Sequence, residues 1–297
     1  MNQPPSSQTN YSGWAEKRKF NPLKIALISL PVIFIIYQGM GSSLVALFSS
    51  IFGWDITESL RIGQGLTQYL FLLLPVIFLV RLHTASVRDY TFLRNEKLGI
   101  GFLLIPLSVI VFQPVMQFLS FYERMIEWPE AILYYRDLME NMMRQMVDSS
   151  SITELLFVIF VTAVTPAICE EFYFRGYILR NFSRVLKPAS AVILSGVIFG
   201  LFHINPFQIS GLILMGVFFS FLAWQYQSLW ASMLAHLVNN FMVVMAYYIS
   251  KEELIGMKLD DPNLQIPLSL FLSSTVLFAI IVWLIIRSTA IAKSVEK

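Results

Sequence analysis

Apolar runs of about twenty residues recur from one end of the chain to the other, and a helix of that length crosses a hydrocarbon layer about 30 Å thick. In lipid only helices and closed barrels satisfy every backbone N–H and C=O internally. A barrel would need alternating segments of about ten residues, and none appear. Of the 297 residues, 56% are hydrophobic and only 13% charged, far from the roughly 25% charge of a soluble domain. The pattern predicts an all-α, polytopic transmembrane bundle of about eight spans, near 25–52, 63–80, 98–121, 153–178, 188–205, 209–225, 229–250 and 266–286.

With the N-terminus inside, 15 of the 21 Lys and Arg residues fall in inside segments. That bias and an even number of spans agree on both termini being cytoplasmic, as in an integral multi-pass protein of the plasma membrane. Residues 1–22 read as a disordered cytoplasmic tail ending in Lys17, Arg18 and Lys19. A three-span region follows over 23–122, then an extracytoplasmic connection over 123–152. Within that connection Ile132, Tyr135, Met139, Met142 and Met146 recur at helical spacing, and Glu130, Asp137, Glu140, Asn141 and Arg144 lie mostly off their stripe. This predicts an interfacial amphipathic helix near 130–147. Residues 153–250 carry the polar motifs below, and 251–297 hold the last span and a short tail. A net charge of +2 marks no nucleic-acid partner, and the single cysteine allows no intrachain disulfide.

Ionisable groups inside a span cost at least a few kcal/mol each, so they face the bundle interior or a wet cavity and mark function. They gather in three places. Cys169-Glu170-Glu171-Phe172-Tyr173-Phe174-Arg175 places Glu171 and Arg175 four apart, acid first, the favourable order for a helical pair. Glu170 points about 100° away and has no cation four residues on, because position 174 is Phe. Phe199 and His203 lie in the fifth run, and His236 and Asn240 share a helix face in the seventh. Counting along the spans puts Glu170 and His236 at similar depth. His203 fits less well, about 15 residues into a span that starts inside, about 20 Å deep.

A glutamate, two imidazoles and an amide converging in a dry cavity suit attack of water on a peptide carbonyl, with a carboxylate taking the proton and N–H groups holding the oxyanion. Glu170, His203 and His236 are also a candidate zinc set, although the compact HExxH helix is absent. Because Asn is a poor zinc ligand, no obligatory cofactor is expected. Two other classes use the same residues: a proton-coupled transporter with a Glu/His relay, and a non-catalytic membrane scaffold. No internal repeat favours the transporter. Cys169 reads as a packed thiol, since an acid beside it disfavours the thiolate.

EExxxR, FxxxH and HxxxN, in that order across consecutive spans, resemble the CPBP family, the type II CAAX prenyl proteases and their bacterial relatives linked to bacteriocin processing. Here the motifs are Glu170-Glu171…Arg175, Phe199…His203 and His236…Asn240, and they cover roughly residues 150–250. The resemblance implies intramembrane endopeptidase activity, of glutamate type or metallo type, on a peptide or protein substrate that is lipidated in the CAAX case. By position it implies that Glu170 activates water with His236, that His203 and Asn240 bind the oxyanion, and that Glu171 and Arg175 support the site.

Overall fold

A computed structural model describes residues 12–84, 86–93, 100–251 and 265–295. Every regular element among them is helical. The helices are α1 (Trp14–Lys17), α2 (Pro22–Phe52), α3 (Ile56–Arg81), α4 (Val87–Tyr90), α5 (Gly101–Arg124), α6 (Glu130–Val147), α7 (Ile152–Ser183), α8 (Pro188–Phe202), α9 (Pro206–Tyr226), α10 (Leu229–Lys251) and α11 (Leu268–Val295). Among the described residues seven are long and apolar enough to cross a membrane: α2, α3, α5, α7, α9, α10 and α11. The chain is a multi-pass membrane protein.

The starts and stops follow from local chemistry. Asn21 accepts from the N–H of Leu23 and precedes Pro22, Asp55 caps Glu58, and Ser151 caps Glu154. Gly53 ends α2 with φ +67°, a left-handed conformation that costs glycine little. The amphipathic helix forms over Glu130–Val147, where the spacing places it. Buried Arg61 holds its C-terminal end, donating to the carbonyls of Gln145, Met146 and Asp148 and pairing with Glu154 at 2.6 Å.

The fifth run differs from expectation. It forms a 15-residue helix, α8, about 22 Å long at 1.5 Å per residue, too short for the full layer. Ile204, with φ 48°, Asn205 and Pro206 break it and turn the chain into α9. The two helices pack backbone to backbone. A Cβ on Gly196 would collide with the backbone of Val217 and Gly216, and one on Gly200 with Ile213. The hairpin tip is pinned to the end of α5, where the Ser210 N–H donates to Glu123 Oε1 at 2.8 Å and Trp128 packs edge-on against Phe207.

The N-terminal segment also differs. Residues 1–11 lie outside the described residues, but 12–22 are ordered rather than a disordered tail. The N–H groups of Gly13 and Ala15 donate to the carbonyls of His83 and Leu82, and Glu16 takes both Nη1 and Nη2 of Arg184 together with Nδ1 of His83. A bidentate pair and a buried imidazole outweigh the polar composition that marks the segment as free. Burial lowers the His83 imidazole below its ordinary range against the pull of Glu16. For Glu16 burial acts upward, but the hydrogen bonds from Arg184 and His83 outweigh it and hold the carboxyl below its ordinary value.

Candidate active site

Three π-turns, Gln68–Leu73, Phe160–Val164 and Phe172–Ile178, interrupt α3 and α7, and each carries a group of the site. Such turns mark functional positions because the extra residue re-aims the side chains around it. The first begins at Gln68, the second supplies the Thr162 carbonyl, and the third holds Arg175.

Glu171 and Arg175 form the expected pair, Nη1 to Oε1 at 2.6 Å, and neither side chain is exposed at all. Arg175 completes its donors on the Gly216 carbonyl at 2.9 Å and the Ser220 hydroxyl at 3.3 Å. Its guanidinium lies 4.3 Å from the Phe199 ring centre and 5.3 Å from that of Phe219. Phe199 also touches the imidazoles of His203, at 4.6 Å, and His236, at 5.8 Å, so one ring braces three polar side chains.

His236 reaches Glu171, with Nδ1 2.8 Å from Oε1. A carboxylate oxygen accepts, so Nδ1 carries a proton and donates it. His203 Nδ1 lies 2.8 Å from the Phe199 carbonyl, which fixes the same tautomer. Its Nε2 stands 3.9 Å from Glu170 Oε2, too long for a direct hydrogen bond. Oε2 is buried and accepts no hydrogen bond among the described residues, while Oε1 takes Nε2 of Gln68 at 2.9 Å. The side chains of Glu170 and His203 keep 15% and 32% exposure, so this corner of the site is accessible. Asn240 Nδ2 donates to the Thr162 carbonyl at 3.1 Å, and its Oδ1 accepts from Asn239.

The depth mismatch of His203 disappears. The fourth span runs to Ser183, five residues beyond its expected end, so Glu170 sits 13 residues from that end against 15 for His203 from Pro188. These are about 20 and 22 Å at 1.5 Å per residue. The neighbour of Glu170 is His203, whereas His236 sits on Glu171, a pairing the motif order alone does not reveal. Gln68, Gln64 and Tyr37, from spans that carry no motif, also meet the site. The signal was present: two amides four residues apart in an otherwise apolar run.

The residues do not fit the zinc set. Both imidazoles have Nδ1 held by an oxygen acceptor, as metal-bound histidines do, yet among the described residues no three His, Cys, Asp or Glu side chains converge as an ion requires.

Residues 152–242 match the family model described as Type II CAAX prenyl endopeptidase Rce1-like. The match contains all three motifs and bears out the resemblance read from them. A search of curated proteins and a search of solved structures each found no match.

Proposed function

We propose, from the premise that residues 152–242 form the core of a CAAX-family membrane protease, that the chain is an intramembrane endopeptidase in which Glu170 and His203 together activate water. The observation that carries this is the 3.9 Å gap between two unspent lone-pair sites, Glu170 Oε2 and His203 Nε2. A water at about 2.8 Å from both subtends about 90°, close to its own bond angle, and donates one hydrogen to each. Both of its lone pairs stay free, and one attacks the peptide carbonyl. As the C–O bond forms, the water's proton passes to Glu170, which returns it to the amine when the C–N bond breaks.

Asn240 has one N–H on Thr162 and its second N–H left for the oxyanion. His236 serves beside it through Nε2, which then carries a proton as Nδ1 does. Glu171 offsets that charge, and with Glu170, Glu171 and Arg175 the four charges sum to zero, as a weakly solvated cavity favours. This reading exchanges the partners that motif order suggests: His203 joins Glu170, supported by their 3.9 Å approach, and His236 is assigned with Asn240 to the oxyanion. We further propose both termini on the cytoplasmic side of the plasma membrane, with the short α8 and α9 forming one hairpin that keeps the passes even, no obligatory metal, and a peptide or protein segment as substrate, either a prenylated tail or a leader peptide.

The test is cleavage of farnesylated CAAX peptides and leader peptides by the purified protein in nanodiscs. Glu170→Gln and His203→Ala each lose at least about 100-fold in kcat while the protein stays folded, the scale of a lost general base. Full activity in Glu170→Gln sinks the reading. Activity removed by a chelator and restored by zinc overturns the metal-free form of it.

A further inference from the structure

The three spans before residue 152 lie outside the matched segment, yet they reach its polar side chains through two glutamines. We propose that Gln68 and Gln113 are positioning residues: Gln68 occupies one carboxylate oxygen of Glu170, and Gln113, acting through Asn239, fixes the amide oxygen of Asn240, so that the other polar atom of each site side chain faces the reaction. The inference rests on the roles given above to Glu170 and Asn240.

Gln68 is fully buried at the first position of a π-turn. Its Nε2 donates to Glu170 Oε1 at 2.9 Å and to the Tyr37 hydroxyl at 3.0 Å, and Gln64 donates to the same hydroxyl at 3.2 Å. The amide cannot be reversed while Glu170 is ionised, since its carbonyl would then meet a carboxylate oxygen. Groups on α2 and α3 therefore tie down Oε1, and Oε2 is the oxygen left facing His203.

Gln113 acts at the far end of a relay. Its Nε2 donates to Asn239 Oδ1 at 3.0 Å, Asn239 Nδ2 donates to Asn240 Oδ1 at 3.1 Å, and Asn240 Nδ2 donates to the Thr162 carbonyl at 3.1 Å. Direction is fixed from the carbonyl end. Thr162 O only accepts, so Asn240 must present its NH2 there, Asn239 must donate to the oxygen, and Gln113 must donate to Asn239. At its own end Gln113 also lies 3.4 Å from the Val109 carbonyl, which requires the same orientation. A reversal anywhere along the relay would turn Asn240's oxygen toward an oxyanion. Gln113 thus selects the amide face of Asn240 without touching it.

Both devices are tested in one cycle, using kcat and KM for peptide cleavage in nanodiscs. Gln68→Met and Gln113→Met keep volume and suit an apolar span; Gln68→Ala and Gln113→Ala serve if either fails to fold. Each is expected to lower kcat by roughly 10- to 100-fold with KM unchanged, the scale of a misplaced reacting group. In the Asn240→Ala background, assayed at enzyme concentrations raised to read its residual rate, Gln113→Met should cost nothing further, because the residue it aims is gone. Gln68→Met should cost its full factor there, since it acts through Glu170. A purely structural role would lower Tm and multiply in both backgrounds. The inference is overturned if Gln113→Met and Asn240→Ala multiply, if both methionine variants keep the parent kcat, or if KM alone moves. Should Glu170→Gln and Asn240→Ala both cleave normally, the proposed site itself fails, a result that reads differently from a failure of the glutamines alone.

Discussion

Replacing Arg175 with methionine tests the electrostatics of the core most directly. The guanidinium is fully buried and makes three hydrogen bonds, to Glu171 at 2.6 Å, Gly216 O at 2.9 Å and Ser220 Oγ at 3.3 Å, besides its contacts with Phe199 and Phe219. Its removal takes the guanidinium from the buried Glu171 carboxylate and leaves it with the His236 Nδ1–H. Breaking such a pair from one side costs about 3–5 kcal/mol. Gly216 O is not orphaned, because the Ser220 hydroxyl also donates to it at 2.9 Å. Nearly all of the loss is therefore assigned to Glu171. In Glu171→Gln/Arg175→Met the charge disappears while the glutamine oxygen still accepts from His236, so the double variant should lose only about 1–2 kcal/mol, the value of one or two ordinary hydrogen bonds. The assay is reversible unfolding in mixed micelles by SDS titration, reading stability for both single variants and the double. If the double variant loses as much as the two singles added together, the pair is not coupled and the reasoning fails.

Gly196→Ala is expected to cost roughly 1–3 kcal/mol by overpacking, since the new methyl meets the backbone of Val217 and Gly216 rather than a movable side chain. Because His203 caps the same helix, kcat should fall by more than the loss of folded protein explains; a proportional fall counts against the link. Lowering the pH should release the Trp14–Lys17 helix. Glu16 and His83 both titrate lower in the fold than their ordinary 4.5 and 6.5, so each contributes stability that is present above those values and lost as pH falls below them. Protection factors at residues 14–20, taken against the intrinsic exchange rate at each pH, should fall as pH drops from 7 toward 4, and protection that holds or strengthens refutes the sign. Arg61→Met should speed exchange over the last turn of Glu130–Val147, whose carbonyls it holds, while leaving exchange in Ile152–Ser183 largely unchanged.

What the sequence reveals here follows from cost. A carboxylate, guanidinium or imidazole in an apolar run is so expensive that its presence alone marks the interior, so Glu170, Glu171, Arg175, His203 and His236 stand out in the sequence, and Asn240 joins them only by its place one turn after His236. The spans are legible for the same reason, as is the helix over Glu130–Val147 from its stripe of Met and aromatic residues. Pairing is another matter. Which imidazole meets Glu170 depends on where α7 ends, and continuing that helix from 178 to Ser183 was enough to bring His203 level with it. Amides in a span cost less than charges and so announce themselves less. Gln68 and Gln113 pass as incidental polar residues until a carboxylate or an amide relay is seen to end on them. The same holds for His83, which reads as a loop histidine beside arginines yet is buried against Glu16 and Tyr90. The motif-bearing spans thus contribute the groups that react, and the spans without motifs contribute uncharged donors that restrict how those groups can turn. A chain that kept the three motifs but carried leucine at positions 68 and 113 should therefore fold as this one does and cleave slowly.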